Sequence, residues 1–177
     1  MFYEKDLKRW GYFGLKGLLK ALLIPGFRFL FLFRLYNKKI FFVKSILKLF
    51  LRFYSRWHGI QIELNTKIAE GFYIGHFGNI VINGESVIGE NCNISHGVTI
   101  GATNRGKRIG SPKIGNEVWI GANVVIVGNI SIGNNVLIAP NSYVNFDIPN
   151  NSLVIGNPAK IKNSLNATEG YINNKII

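Results

Sequence analysis

From residue 114 onward the chain keeps a strict beat of six, reading IGNEVW, IGANVV, IVGNIS, IGNNVL, IAPNSY, VNFDIP. A branched apolar residue opens each unit: Ile114, Ile120, Ile126, Ile132, Ile138 and Val144. A small residue usually follows, and small or branched residues fill the fifth place. Upstream the same phase holds at Ile68, Ile74 and Ile80, then resumes two residues late at Ile88, Ile94 and Ile100. Few folds tolerate such a period. A helix needs 3.6 residues per turn, and a sandwich of short strands needs no beat of six.

A short strand plus a turn accounts for each unit, and three units close one triangular coil of a parallel β-helix. The Ile positions then point inward and stack on the coils above and below. Glycine and asparagine take the turns, where a positive φ is required. One coil cannot bury its own core, so several must stack. The expected fold is therefore mainly β: a parallel β-helix over 59–162, preceded by an α-helical region over 1–58 and followed by a polar tail over 163–177.

The phase also places the unusual residues. Cys92 is fifth in its unit, an inward place, and reads as a packing thiol. As the only cysteine it forms no intrachain disulfide, which fits a reducing compartment. His76 is third in the unit opened by Ile74, and His96 is third in the unit opened by Ile94. Both should sit at the same corner, one coil apart, or roughly 4.8 Å. Two imidazoles at a surface corner suggest chemistry rather than packing. The beat breaks once, at residues 102–113 (ATNRGKRIGSPK), where a loop must leave the coil. Loops on rigid scaffolds often carry function, so Arg105, Lys107, Arg108 and Ser111 become candidate substrate contacts.

The segments GFYIGHFGNIVINGESVIGENCNISHGVTIG, SPKIGNEVWIGANVVIVGNISIG and IPNNSLVIGNPAKI resemble the serine acetyltransferase branch of the left-handed β-helix acyltransferases, almost without gaps over 59–161. The resemblance implies a left-handed coil, a homotrimer, and acetyl-CoA as cosubstrate in the groove between neighbouring chains. It implies that His76 is the general base. A hydroxyl is a weak nucleophile for a thioester, and an imidazole that takes its proton as the bond forms solves that problem. It implies that Ala102, Gly121, Ala122, Pro140 and Lys160 meet the cosubstrate, with no metal. His96, Gln61 and Glu63 are candidate orienting or assisting groups.

Four positions depart from that family's pattern. Gln61 stands where the family has an aspartate paired with the base. Gly75 stands where it has an aspartate just before the base. Gly110 and Ser111 stand where an Arg-His pair grips the carboxylate of serine, a task suited to a bidentate guanidinium. These departures direct the expectation to relatives that acetylate a sugar hydroxyl in surface polysaccharide assembly. The alternatives are a serine O-acetyltransferase of cysteine synthesis and a non-catalytic membrane scaffold. A zinc enzyme on the same coil would need three histidine ligands, and His58 lies before the repeat.

The charge is concentrated in one region. Residues 1–58 hold thirteen Lys and Arg against two carboxylates, whereas 59–177 hold eight against seven. Helices are expected there, broken at Pro25-Gly26 and Asn37, with the last over 40–57. Along that helix Lys44, Lys48, Arg52 and Arg56 recur every four residues amid apolar and aromatic side chains. Such a helix packs on an oligomer or lies in a membrane interface. The expectation is peripheral contact with an anionic membrane, on the cytoplasmic face of a bacterial inner membrane, and no nucleic acid. Lys16 and Lys20 interrupt any signal-peptide core, and no run approaches the length of a spanning helix.

Overall fold

The structure, a computed structural model, describes residues 3–38 and 41–177. Strands are numbered along the chain and fall into three parallel faces. The first face holds β1 (Ile60–Ile62), β4 (Ile80–Ile82), β7 (Thr99–Gly101), β10 (Val125–Val127) and β13 (Tyr143–Val144). The second holds β2 (Lys67–Ile68), β5 (Val87–Ile88), β8 (Lys113–Ile114) and β11 (Ser131–Ile132). The third holds β3 (Tyr73–Ile74), β6 (Asn93–Ile94), β9 (Val118–Ile120), β12 (Val136–Ile138) and β14 (Ser152–Ile155). One antiparallel strand, β15 (Lys160–Asn163), closes the third face against β14. The chain is thus a parallel β-solenoid of hexapeptide repeats.

The register explains the beat. Ile74 pairs with Ile94 and Ile94 with Ile120; Ile82 pairs with Ile100 and Ile100 with Ile126. Each inward isoleucine therefore sits on its equivalent one coil away, and Ile80, Ile100, Ile120, Ile126 and Ile138 have no exposed surface. Turn asparagines supply the left-handed corners, among them Asn79, Asn91, Asn123, Asn135, Asn141 and Asn151. The asparagines beside them tie coil to coil: Asn116, Asn134 and Asn150 each accept a bond from a backbone N–H in the coil before.

The two-residue delay in the repeat has a definite place. Ile74 pairs with Ile94 and Val81 with Thr99, so residues 75–80 span the step from β3 to β4 that residues 95–98 span from β6 to β7, two residues more. The longer turn carries His76, so the corner with the candidate base bulges from the column.

The N-terminal region forms four helices: α1 (Glu4–Arg9), α2 (Gly14–Ala21), α3 (Pro25–Asn37) and α4 (Phe41–His58). Pro25 opens α3 at its first turn, where the missing N–H costs nothing. Asn37 ends it, as expected. The expected start of the last helix at Ile40 lies outside the described residues. Phe27, Phe29, Leu30 and Phe33 bury one face of α3 in a core continuous with the coil. Asp6, 3% exposed, accepts from Arg34 Nε at 2.8 Å and from the Gly71 amide at 2.8 Å. Arg34 also donates to the Ile68 carbonyl. These bonds fasten α1 and α3 to the first coil.

The tail is an ordered part of the fold. It runs back over the third face: Thr168 bonds Asn135, Tyr171 stacks on Trp119 at 4.8 Å, and Ile176 exchanges two bonds with Asn91.

Truncation inside the coil should cost far more than truncation on its outer side. Ile100→Ala is expected to lose about 2–5 kcal/mol of unfolding free energy. Val81→Ala, on an outward position 40% exposed, is expected to lose about 0.5 kcal/mol or less. Denaturant titrations of the two variants measure the difference.

Candidate active site

The edge between the third and first faces carries a column of third-position residues: His76, His96, Ala122 and Pro140. The two imidazoles lie with ring centroids 6.0 Å apart at an interplanar angle of 77°. Both are exposed. Gly121 belongs to the same turns, and a Cβ there would meet Pro140 N at 2.7 Å. The coil itself therefore requires that glycine.

A cavity of about 430 Å³ opens beside His76 on the third face. Arg9, Trp10, Tyr73, Trp119 and Tyr171 form much of its wall. Trp10 stacks on Tyr73 at 4.2 Å and donates from Nε1 to the Phe72 carbonyl at 3.1 Å. Arg9 is 3% exposed, and donates to Asn93 Oδ1 and the Asn173 carbonyl. Its Nε has no partner, and burial pushes the guanidinium below its usual range. The wall thus combines the coil, α1 and the tail. Sequence reasoning missed this: Arg9 lies in a helix too short to show a period, and Tyr171 lies in a tail without one.

A second contact escaped the sequence. Phe77, in the long turn after His76, meets the His58 ring edge-on at 5.3 Å, and His58 packs on Tyr54 at 4.2 Å. Burial, with Arg28 nearby, pushes His58 below the usual imidazole range. The end of α4 is therefore tied to the turn that presents His76.

Other predicted residues lie elsewhere. Gln61 and Glu63 are exposed on and just after β1. They line a separate groove with Lys48, Arg52 and Arg56 of α4, and the cavity beside His76 does not include them. Ala102 and the loop at 102–113 leave the coil between β7 and β8, on the edge between the first and second faces. This is a different edge from that of His76. There Arg108 pairs with Asp147 at 3.1 Å, Ser111 Oγ bonds Asn83 Oδ1 at 2.8 Å, and Thr103 pairs with Gly110. Arg105 and Lys107 are exposed. Gly110 has φ +122°, and a Cβ on it would meet Asn129 Cβ at 3.2 Å. An arginine at this position would be strained, which accounts for the glycine. Lys160 is exposed on β15. Among the described residues, no cluster of three or more metal-ligating side chains is present.

Residues 111–145 match the family described as bacterial transferase hexapeptide (six repeats). The chain is 45% identical over 109 residues to serine acetyltransferase 2 of Arabidopsis thaliana, covering 60% of this chain and 33% of that protein. It is 35% identical over 143 residues to a serine acetyltransferase of Helicobacter pylori, covering 78% of this chain and 82% of that one. Neisseria gonorrhoeae serine acetyltransferase, solved in complex with serine, superposes with a TM-score of 0.74 at 34% identity, covering 90% of this chain and 66% of that one. A serine acetyltransferase solved in complex with CoA gives 0.74 at 29% identity, covering 90% and 67%.

These relatives overturn the expected saccharide acceptor and its place in polysaccharide assembly: by name they act on serine. The physical reason for the error lies in the loop. Gly110 and Ser111 answer to the loop's own backbone and contacts, through the positive φ of Gly110 and the Ser111–Asn83 bond. The same loop still presents the exposed cations Arg105 and Lys107, so an absent arginine at position 110 does not decide what the base activates.

Cys92 is fully buried, its thiol donates to the Gly115 carbonyl at 3.1 Å, and burial pushes its pKa up to about 12. It has neither the access nor the ionisation of a nucleophile. A thiol reagent at about pH 8 is expected to leave Cys92 unmodified in the native protein and to modify it after unfolding. Absorbance of the released chromophore reads both states.

Proposed function

Since this chain belongs to the hexapeptide-repeat acyltransferases, we propose that it moves the acetyl group of acetyl-CoA onto the hydroxyl of serine, with His76 as the general base. The observation that carries this reading is the exposed His76–His96 pair on one edge of the coil, in a chain that covers 82% of a serine acetyltransferase at 35% identity.

In the proposed step the serine Oγ attacks the thioester carbonyl carbon while His76 accepts the hydroxyl proton. A tetrahedral oxyanion forms, the C–S bond then breaks, and the CoA thiolate leaves with a proton returned by the imidazolium. No acyl-enzyme is required, in keeping with the buried Cys92. His96, one coil above the base, orients the acceptor or the base. Ala122 and Pro140 continue the same column, so the pantetheine arm runs up this edge, with Gly121 keeping the backbone close. Lys160 meets the phosphates as a point charge.

We read the acting unit as a homotrimer, the assembly that the family resemblance implies, and the edges of the coil suit it. The loop at 102–113 and Ala102 sit on one edge, and His76 sits on another. In a threefold assembly one chain's loop edge faces the next chain's histidine edge. Arg105, Lys107 or Arg108 of one chain then reaches the acceptor bound beside the base of its neighbour. The cosubstrate lies between them.

Thiol release from acetyl-CoA by the purified protein tests the reading. Addition of L-serine is expected to accelerate release to ordinary enzymatic turnover. His76→Ala is expected to lower kcat by about 10²–10⁴-fold, with the circular dichroism spectrum unchanged because the side chain is exposed. No response to serine sinks the acceptor, and full activity in His76→Ala sinks the base.

A further inference from the structure

Helix α4 has three sectors rather than two. Successive residues turn by about 100°, and on that wheel Leu47, Leu51 and Tyr54 share one side. They are buried, at 8%, 2% and 8% exposure, against α3 and the first coil. Lys44, Lys48, Arg52 and Arg56 drift down a second side. Ile46, Leu49, Phe50, Phe53 and Trp57 form the third, and they are 53–86% exposed. An apolar sector of this kind is usually buried. Helix α2 and the turn after it repeat the pattern, with Leu15, Leu19 and Leu23 at 59–76% exposure beside Lys16 and Lys20.

The charge identifies the occupant. Residues 7–62 contain twelve Lys and Arg and no carboxylate. A second copy that met this face with its own would bring the same positive charge into contact, a costly juxtaposition. An anionic surface complements it. The exposed sector is also aromatic at Phe50, Phe53 and Trp57, the composition found at the boundary between headgroups and acyl chains. Among the described residues no helix is long and apolar enough to cross a membrane. We infer that α4, assisted by α2, seats this protein in the plane of an anionic lipid surface. The Ile46–Trp57 sector enters the acyl boundary, and the lysines and arginines stay at the headgroups. This inference is independent of the acceptor.

Vesicle flotation with the full chain tests it, using vesicles of phosphatidylcholine alone and vesicles containing about 30% phosphatidylglycerol. The expected result is flotation with the anionic vesicles only, abolished by about 1 M salt. Phe53→Ser and Trp57→Ser remove exposed side chains, so folding is preserved. Each is expected to weaken partitioning by about tenfold or more. Equal binding to neutral vesicles, or none to anionic ones, overturns the proposal. So does sedimentation showing an assembly that these two substitutions dissolve while flotation is absent, since a second copy is then the occupant.

Discussion

The inward isoleucine column constrains everything else in this molecule. Each coil is held to the next by parallel backbone pairing, and each buried Ile contributes roughly 1.5–3 kcal/mol by leaving water. The contribution depends on register, because Ile94 must lie on Ile74 and under Ile120. Once the register is fixed, every outward position becomes a column too. His76 and His96 share an edge because Ile74 and Ile94 share a strand position. A slip of one residue would turn the isoleucines outward and move both imidazoles off their corner. The chemistry of the edge is thus a by-product of packing inside it.

A stack of coils has exposed ends and flat faces, and the chain spends its remaining length covering them. The first coil is covered by α1 and α3, and the attachment is polar as well as apolar. Asp6 and Arg34 are nearly enclosed, so removing either would strand a charge away from water. The third face is covered by the tail, which is held by asparagines in outward places. Asn91 bonds Ile176, Asn93 bonds the Tyr171 carbonyl, and Asn135 bonds Thr168 and the Leu165 carbonyl. The cavity beside His76 exists only because these two coverings meet around it.

This division marks what the sequence could tell. Phase is a repeated signal, so the coil, the shared edge of His76 and His96, and the burial of Cys92 were all legible. The coverings are single events. Helix α1 buries Asp6 and Arg9 through hydrogen bonds, a pattern that apolar periodicity cannot register. The tail binds through backbone carbonyls, which every sequence possesses. Gln61 is a case apart. The family resemblance suggests a place near the base, and the structure shows its exposed side chain lining a groove under α4. The loop at 102–113 is legible as an excursion, but the strain that a larger residue would meet at Gly110 depends on the loop's own backbone and on Asn129.

The two unusual regions of the chain are joined by one contact. The extra residues in the 75–79 turn push Phe77 outward, where it meets His58 at the last turn of α4. His58 packs in turn on Tyr54, whose hydroxyl donates to the Pro25 carbonyl at 3.0 Å and accepts from Arg28 Nε at 3.0 Å. The buried sector of α4 is therefore anchored at both α3 and the turn that bears His76. Such a chain of rings and hydrogen bonds has little freedom to slide, because each member is packed on the next. A surface that seats the outer sector of α4 consequently fixes the direction in which the histidine edge faces. The lengthened turn, which interrupts an otherwise regular beat, is the structural cost of that connection.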